Sequence, residues 1–187
     1  MTKALRSLIL ALGFVTVLTA TASAQVAIGL TGGVNSSTLT GSGADTLDVS
    51  SGTGGGGGGY VNIYLGSKFS VEGQLLFAGQ SFDVSSVSVT QGYLEIPALL
   101  KFYIGHFNLF AGPAISWQVS CSTDLSATTC DQAATSLWSG IAGAGLQFGK
   151  LGVEAHYQTG FSDAIDNVNA SVGAWYLMGR LAILGSR

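Results

Sequence analysis

Along the chain, apolar and polar residues alternate with a period of two from Val26 to Leu184, and no capped segment of helical period interrupts them. The alternation predicts eight strands, at about 26–39, 57–65, 69–82, 91–104, 107–119, 137–148, 151–161 and 171–184. One predicted strand sends Phe69, Val71, Leu75 and Phe77 to one side and Ser70, Glu72, Gln74 and Gln80 to the other. Another sends Leu151, Val153, Ala155, Tyr157 and Phe161 one way and Gly152, Glu154, His156 and Gln158 the other. The connections alternate as well. Gly66-Ser67-Lys68, Gly105-His106 and Gly149-Lys150 read as tight turns, whereas 40–56, 83–90, 120–136 and 162–170 read as long Ser/Thr/Asp/Gly-rich loops. An even number of strands, with short turns at one rim and long loops at the other, predicts an all-β, eight-stranded, antiparallel, up-and-down transmembrane barrel.

Composition changes the solvent of this barrel. Charged residues are 9% and mean hydropathy is +0.46, far from the values of a water-soluble domain. Beyond the first 25 residues no apolar run is long enough for a spanning helix, so a membrane is crossed by strands or not at all. The N-terminus supplies a route of export: Lys3 and Arg6 precede an apolar stretch, Leu8 to Leu18, and Ala22-Ser23-Ala24 is a small-residue cleavage site. Residues 1–24 therefore read as a signal peptide and 25–187 as one barrel domain. In an oxidising compartment Cys121 and Cys130 are expected to form a disulfide, with two free thiols as the alternative.

Aromatic residues sort by height. Phe69, Phe102, Phe107 and Phe148 fall on the apolar face beside the short turns, and Trp117, Trp138 and Trp175 fall on the same face roughly ten residues away, about the thickness of a hydrocarbon core. Charge sorts too. Glu72, Glu95 and Glu154 lie on the polar face with Lys101 and Arg180, while all seven Asp residues (45, 48, 83, 124, 131, 163 and 166) lie in or beside the long loops. Once Lys3 and Arg6 leave with the leader, five basic side chains face ten acidic ones, a net charge of −5.

The stretch "YLEIPALLKFYIGHFNLFAGPAISW", Tyr93 to Trp117, resembles the signature of the bacterial outer-membrane β-barrel family called porin-family proteins, similar in architecture to the small OmpA/OmpX-type barrels. "IGLTGGVNSSTL", Ile28 to Leu39, is similar to the family's first strand. The resemblance implies a bacterial outer-membrane location and no shared catalytic residues. Many such barrels end in an aromatic residue used for insertion; here the end reads Leu184-Gly185-Ser186-Arg187, which leaves Leu181 and Ile183 as the insertion signal or marks an altered terminus.

The polar face carries the candidate chemistry. Counting from the short turns puts Glu72 opposite Asn62 and level with Lys101, and puts Glu154 level with Arg180, which predicts two separate ion-pair clusters low in the lumen. An eight-stranded barrel is just wide enough for its side chains to fill, so a closed lumen with at most a narrow water path is expected. Lys101 and Glu95, six residues apart on one strand, cannot reach each other, so each needs a partner on a neighbouring strand. His156 shares the lumen parity of Glu154 and is expected to be a hydrogen-bonded lumen histidine, since a lipid-modifying catalytic base would have to face lipid.

The run Gly54 to Gly59 lacks the Gly-Lys-Ser/Thr of a phosphate loop and reads as a flexible arm entering the second strand. Pro97, within a predicted strand of a barrel without edges, predicts a bulge or a skipped hydrogen bond. No cofactor, metal centre or nucleic acid is implied. The expected partners are outer-membrane lipid and lipopolysaccharide, with any extracellular partner of the loops unknown; the acidic loops either hold divalent cations shared with lipopolysaccharide phosphates, repel anions or are simply solvated, and the chain is expected to be a monomer. The expected role is structural or surface-interactive, with a narrow passive porin-like channel or a soluble secreted ligand-binding barrel as alternatives.

Overall fold

The computed structural model describes residues 25–40, 49–84, 87–123, 136–161 and 171–185. Eight strands follow one another: β1 (Gln25–Thr40), β2 (Val49–Leu65), β3 (Phe69–Val84), β4 (Val87–Ile104), β5 (Phe107–Thr123), β6 (Ser136–Phe148), β7 (Leu151–Gly160) and β8 (Ser171–Leu184). Each pairs antiparallel with the next, and β1 pairs with β8 to close the barrel. Closure satisfies the backbone groups that an open sheet would leave bare at its edges, a requirement wherever hydrocarbon and not water surrounds the wall. The short connections turn at Gly66, Gly105 and Gly149, with φ of 81°, 61° and 59°, a left-handed backbone that glycine adopts without a Cβ clash.

The alternation maps onto the wall. Leu30, Val34, Phe77, Leu100 and Leu177 face outward, while Asn35, Glu72, Leu76, Leu99, Lys101 and Met178 are buried inside. A single-layer barrel in lipid therefore keeps its most polar side chains at its centre.

The strands run further toward the long-loop rim than their alternation indicates. β2 begins at Val49, so the loop expected over 40–56 is much shorter, and Gly54 to Gly59 are not a flexible arm. Gly55 to Gly59 pair on both sides, for example Gly58 with Thr31 and Leu76, and Gly56 with Gly33 and Ala78. Glycine carries no apolar or polar side chain to alternate, so its strand is silent to a periodicity argument. Likewise β3 and β4 reach Val84 and Val87, within the expected loop 83–90, and β5 continues to Thr123. The leader (1–24) and the side chains of Cys121, Cys130 and the seven Asp residues lie outside the described residues, and the backbone of Asp83 belongs to β3 and not to a loop.

Pro97 skips its place in the ladder without a bulge. Pairing of β3 with β4 stops at Gly73 with Ala98 and resumes in the same register at Leu76 with Glu95. Between β4 and β5 a matching gap lies beside Pro113, from Pro97 with Ala114 to Leu100 with Ala111. Two residues without N–H groups are thereby placed where the ladder asks for no donor.

Candidate functional site

The lumen is the only place where this chain buries charge among the described residues, and four side chains from four strands meet there. Glu72 stands on β3, Lys101 on β4, Glu154 on β7 and Arg180 on β8. Lys101 Nζ lies 3.0 Å from Glu72 Oε1 and 2.6 Å from Glu154 Oε1. Arg180 reaches Glu72 through Nη2 and Glu154 through Nη1, each at 2.5 Å. Each acid thus touches both bases and each base both acids, in a closed ring of alternating sign across the barrel. Glu72 and Lys101 are 0% exposed.

Each of the two pairs expected from counting is in contact, but the separation into two clusters is not what the structure has. Its register explains the difference. Lys101 stands opposite Ser70 and not Glu72, and Arg180 stands opposite Gly152 and not Glu154. Each base is therefore displaced two residues from its acid on the adjacent strand, and the long side chains turn inward, where they reach the acids of the far wall as well. Strand tilt creates this offset, and a count along single strands does not contain it.

Aromatic rings back the two cations. The Arg180 guanidinium lies 4.0 Å from the centroid of Tyr60, and Lys101 Nζ lies 4.8 Å from that of Phe110. Tyr60 in turn occupies the space over Gly29, where an added Cβ would come within 2.6 Å of the ring. Gln74 donates to Glu72 at 2.6 Å. Tyr60, Gln74 and Phe110 were not among the candidate residues; lumen parity beside Asn62, Glu72 and Lys101 is the signal that finds them.

The remaining candidates separate from the ring. Asn62 does stand opposite Glu72, yet its Nδ2 donates to the Tyr103 hydroxyl at 3.0 Å, toward the short-turn end. His156 is buried in the lumen as expected: it stacks on Tyr176 with centroids 4.7 Å apart and meets Phe110 edge-on at 6.0 Å. Glu95 lies farther toward the long-loop rim, where it finds the expected partner on a neighbouring strand in Ser116 of β5, with Gln158 of β7 as a second hydrogen-bond partner. An apolar cluster of Leu99, Phe110, Ala114 and Ile141 fills the space beside the ring.

On the outer surface Phe69 and Phe102 pack at 5.0 Å near the short turns, and Phe107 and Phe148 flank the two other short turns. Trp175 packs on Tyr157 at 5.0 Å, and Trp117 and Trp138 stand on the same outer face of β5 and β6.

The family model for the outer membrane protein beta-barrel domain matches residues 20–166. The chain belongs to that family. It is an integral β-barrel of the bacterial outer membrane. Among solved structures the barrel is similar to Neisserial surface protein A, with a TM-score of 0.56 and 10% identity over 82% of this chain and 96% of that one, a likeness of fold. Ail, the attachment invasion locus protein of Yersinia pestis, solved with a heparin analogue, aligns with a TM-score of 0.47 and 16% identity over 84% of this chain and 98% of that one. OprG of Pseudomonas aeruginosa aligns at 0.40 and 15% over 85% and 94%. No curated protein sequence matches the barrel.

Proposed function

We propose that this barrel is a plugged, monomeric element of the outer membrane, serving membrane integrity or surface contact through its loops, and that it neither conducts solutes nor catalyses a reaction. The observation that carries this reading is the ring of Glu72, Lys101, Glu154 and Arg180, whose contacts of 2.5 to 3.0 Å span the lumen and leave each charge matched. Opening a passage through it would strip buried charges of their partners, on the order of 3 to 5 kcal/mol for each pair broken.

The outward rings suit the two interfaces of a bilayer: Phe69, Phe102, Phe107 and Phe148 on the periplasmic side, Trp117, Trp138 and Trp175 on the outer side. The seven aspartates in or beside the long loops suit divalent cations shared with lipopolysaccharide phosphates. His156, wedged among rings inside the wall, is poorly placed to act on lipid.

Planar bilayers test the plug. The purified barrel is expected to give no resolved conductance steps at neutral pH, and regular steps from the unmodified protein would replace this reading with that of a narrow passive channel.

A further inference from the structure

Outside the lumen the charges of this chain are divided between the two rims. The seven Asp residues lie in or beside the long loops, whereas Lys68, His106 and Lys150 lie in the short turns and are exposed. All three glutamates of the strands are buried inside the wall. The short-turn rim therefore presents basic side chains with no Asp or Glu among them.

Two of the short turns are neighbours. Because β5 pairs with β6, Gly105-His106 stands beside Gly149-Lys150, and the Gln147 N–H donates to the His106 carbonyl at 2.8 Å. A cleft of about 320 Å³ lies there, lined by Gly105, His106, Gln147 and Gly149. Its two glycines keep it open: nothing comes within 4 Å of the place a Cβ would take on either. Its polar groups have capacity to spare. His106 Nδ1 lies 3.1 Å from the Gln147 carbonyl oxygen, which leaves Nε2 for a second partner. Gln147 Nε2 gives one of its two hydrogens to the Gly149 carbonyl at 3.3 Å and keeps the other.

The same histidine joins the cleft to the oily wall. Its ring stacks on Phe148 with centroids 4.9 Å apart, and Phe148 and Leu151 are 59% and 63% exposed on the lipid-facing side. We propose that this cleft holds the phosphate headgroup of one anionic phospholipid, of the phosphatidylglycerol class, from the leaflet on the short-turn side, with its acyl chains along Phe148 and Leu151. His106 and Gln147 supply hydrogen-bonding nitrogens, and Lys150, next to Gly149, supplies the charge. A rim of cations without acids favours a net-negative headgroup over a zwitterionic one. A free phosphate ester would satisfy the cleft but leave the adjoining rings uncovered, so a lipid fits both halves of the surface. The site goes beyond the plug reading and holds whether or not the lumen conducts.

The folded barrel in nonionic detergent is offered equal amounts of phosphatidylglycerol and phosphatidylcholine with the same acyl chains, and the lipid it keeps is identified by native mass spectrometry. The parent is expected to retain phosphatidylglycerol about fivefold over phosphatidylcholine, the selectivity of one basic side chain at an anionic lipid surface. The double variant His106→Gln/Lys150→Gln is expected to retain the two equally, whereas Lys68→Gln, in the turn between β2 and β3, is expected to keep the preference. Equal retention by the parent overturns the proposal. A preference that survives the double variant, or that Lys68→Gln removes as fully, overturns it too, since diffuse charge on the rim would then suffice. Displacement of the bound lipid by excess glycerol phosphate would overturn the lipid assignment and leave a site for a free phosphate ester.

Discussion

Arg180→Met is expected to destabilise the barrel by about 3 to 5 kcal/mol, measured as urea unfolding of the protein refolded into lipid vesicles. The substitution leaves Glu72 and Glu154 sharing Lys101, so a buried net charge of −1 appears where the ring had been neutral. It also uncovers Tyr60, whose ring the guanidinium faces at 4.0 Å. Adding Glu72→Gln separates these causes. In the double variant the contact of Lys101 with Glu154 at 2.6 Å remains as a matched pair, and most of the lost stability is expected to return. A single variant within ~0.5 kcal/mol of the parent, the range of ordinary surface changes, would show that the ring does not hold the lumen.

Gly58→Ala is expected to cost about 1 to 3 kcal/mol or to prevent folding, whereas Gly59→Ala on the neighbouring residue is expected to be nearly silent. Gly58 faces the lumen on β2, and a Cβ there would sit 1.9 Å from the carbonyl oxygen of Leu75 and 2.9 Å from the Cα of Leu76. Both obstacles are backbone of the paired strand, so relief requires β2 and β3 to part. Gly59 points outward, and its added Cβ would meet only the Gly29 carbonyl oxygen, at 3.6 Å, an ordinary contact. Heat-modified gel mobility and unfolding midpoints compare the two. Equal effects would mean that the glycine run serves propensity and not strand approach.

That run is where periodicity misread the chain. Ile28, Leu30 and Val34 alternate with Ala27, Thr31 and Asn35 because each wall residue has lipid on one side or the lumen on the other. Gly54 to Gly59 have no side chains to report their side, and the composition of a linker was indistinguishable from that of a strand pressed against its neighbours. Pro97 was legible in kind, since a missing N–H must fall somewhere in a closed ladder; that it skips on the β3 side, with the register unchanged, is set by the pairing of the whole sheet. For the candidate site, parity alone put Glu72, Glu95, Lys101, Glu154, His156 and Arg180 on one face. Their grouping was beyond it. The two-residue offset at Ser70 with Lys101 and at Gly152 with Arg180 follows from the shear of the whole closed wall.

Read alone, the amino-acid sequence determined a strand-built barrel of eight elements, its lipid and lumen faces, and a lumen with three acids for two bases, because alternation and charge count are local properties of the chain. Only the tertiary structure decided which acid meets which base. Contacts between residues as far apart as Glu72 and Arg180 depend on the tilt, register and diameter set when β1 closes on β8. That closure joins four charges into one ring and leaves Glu95 outside it.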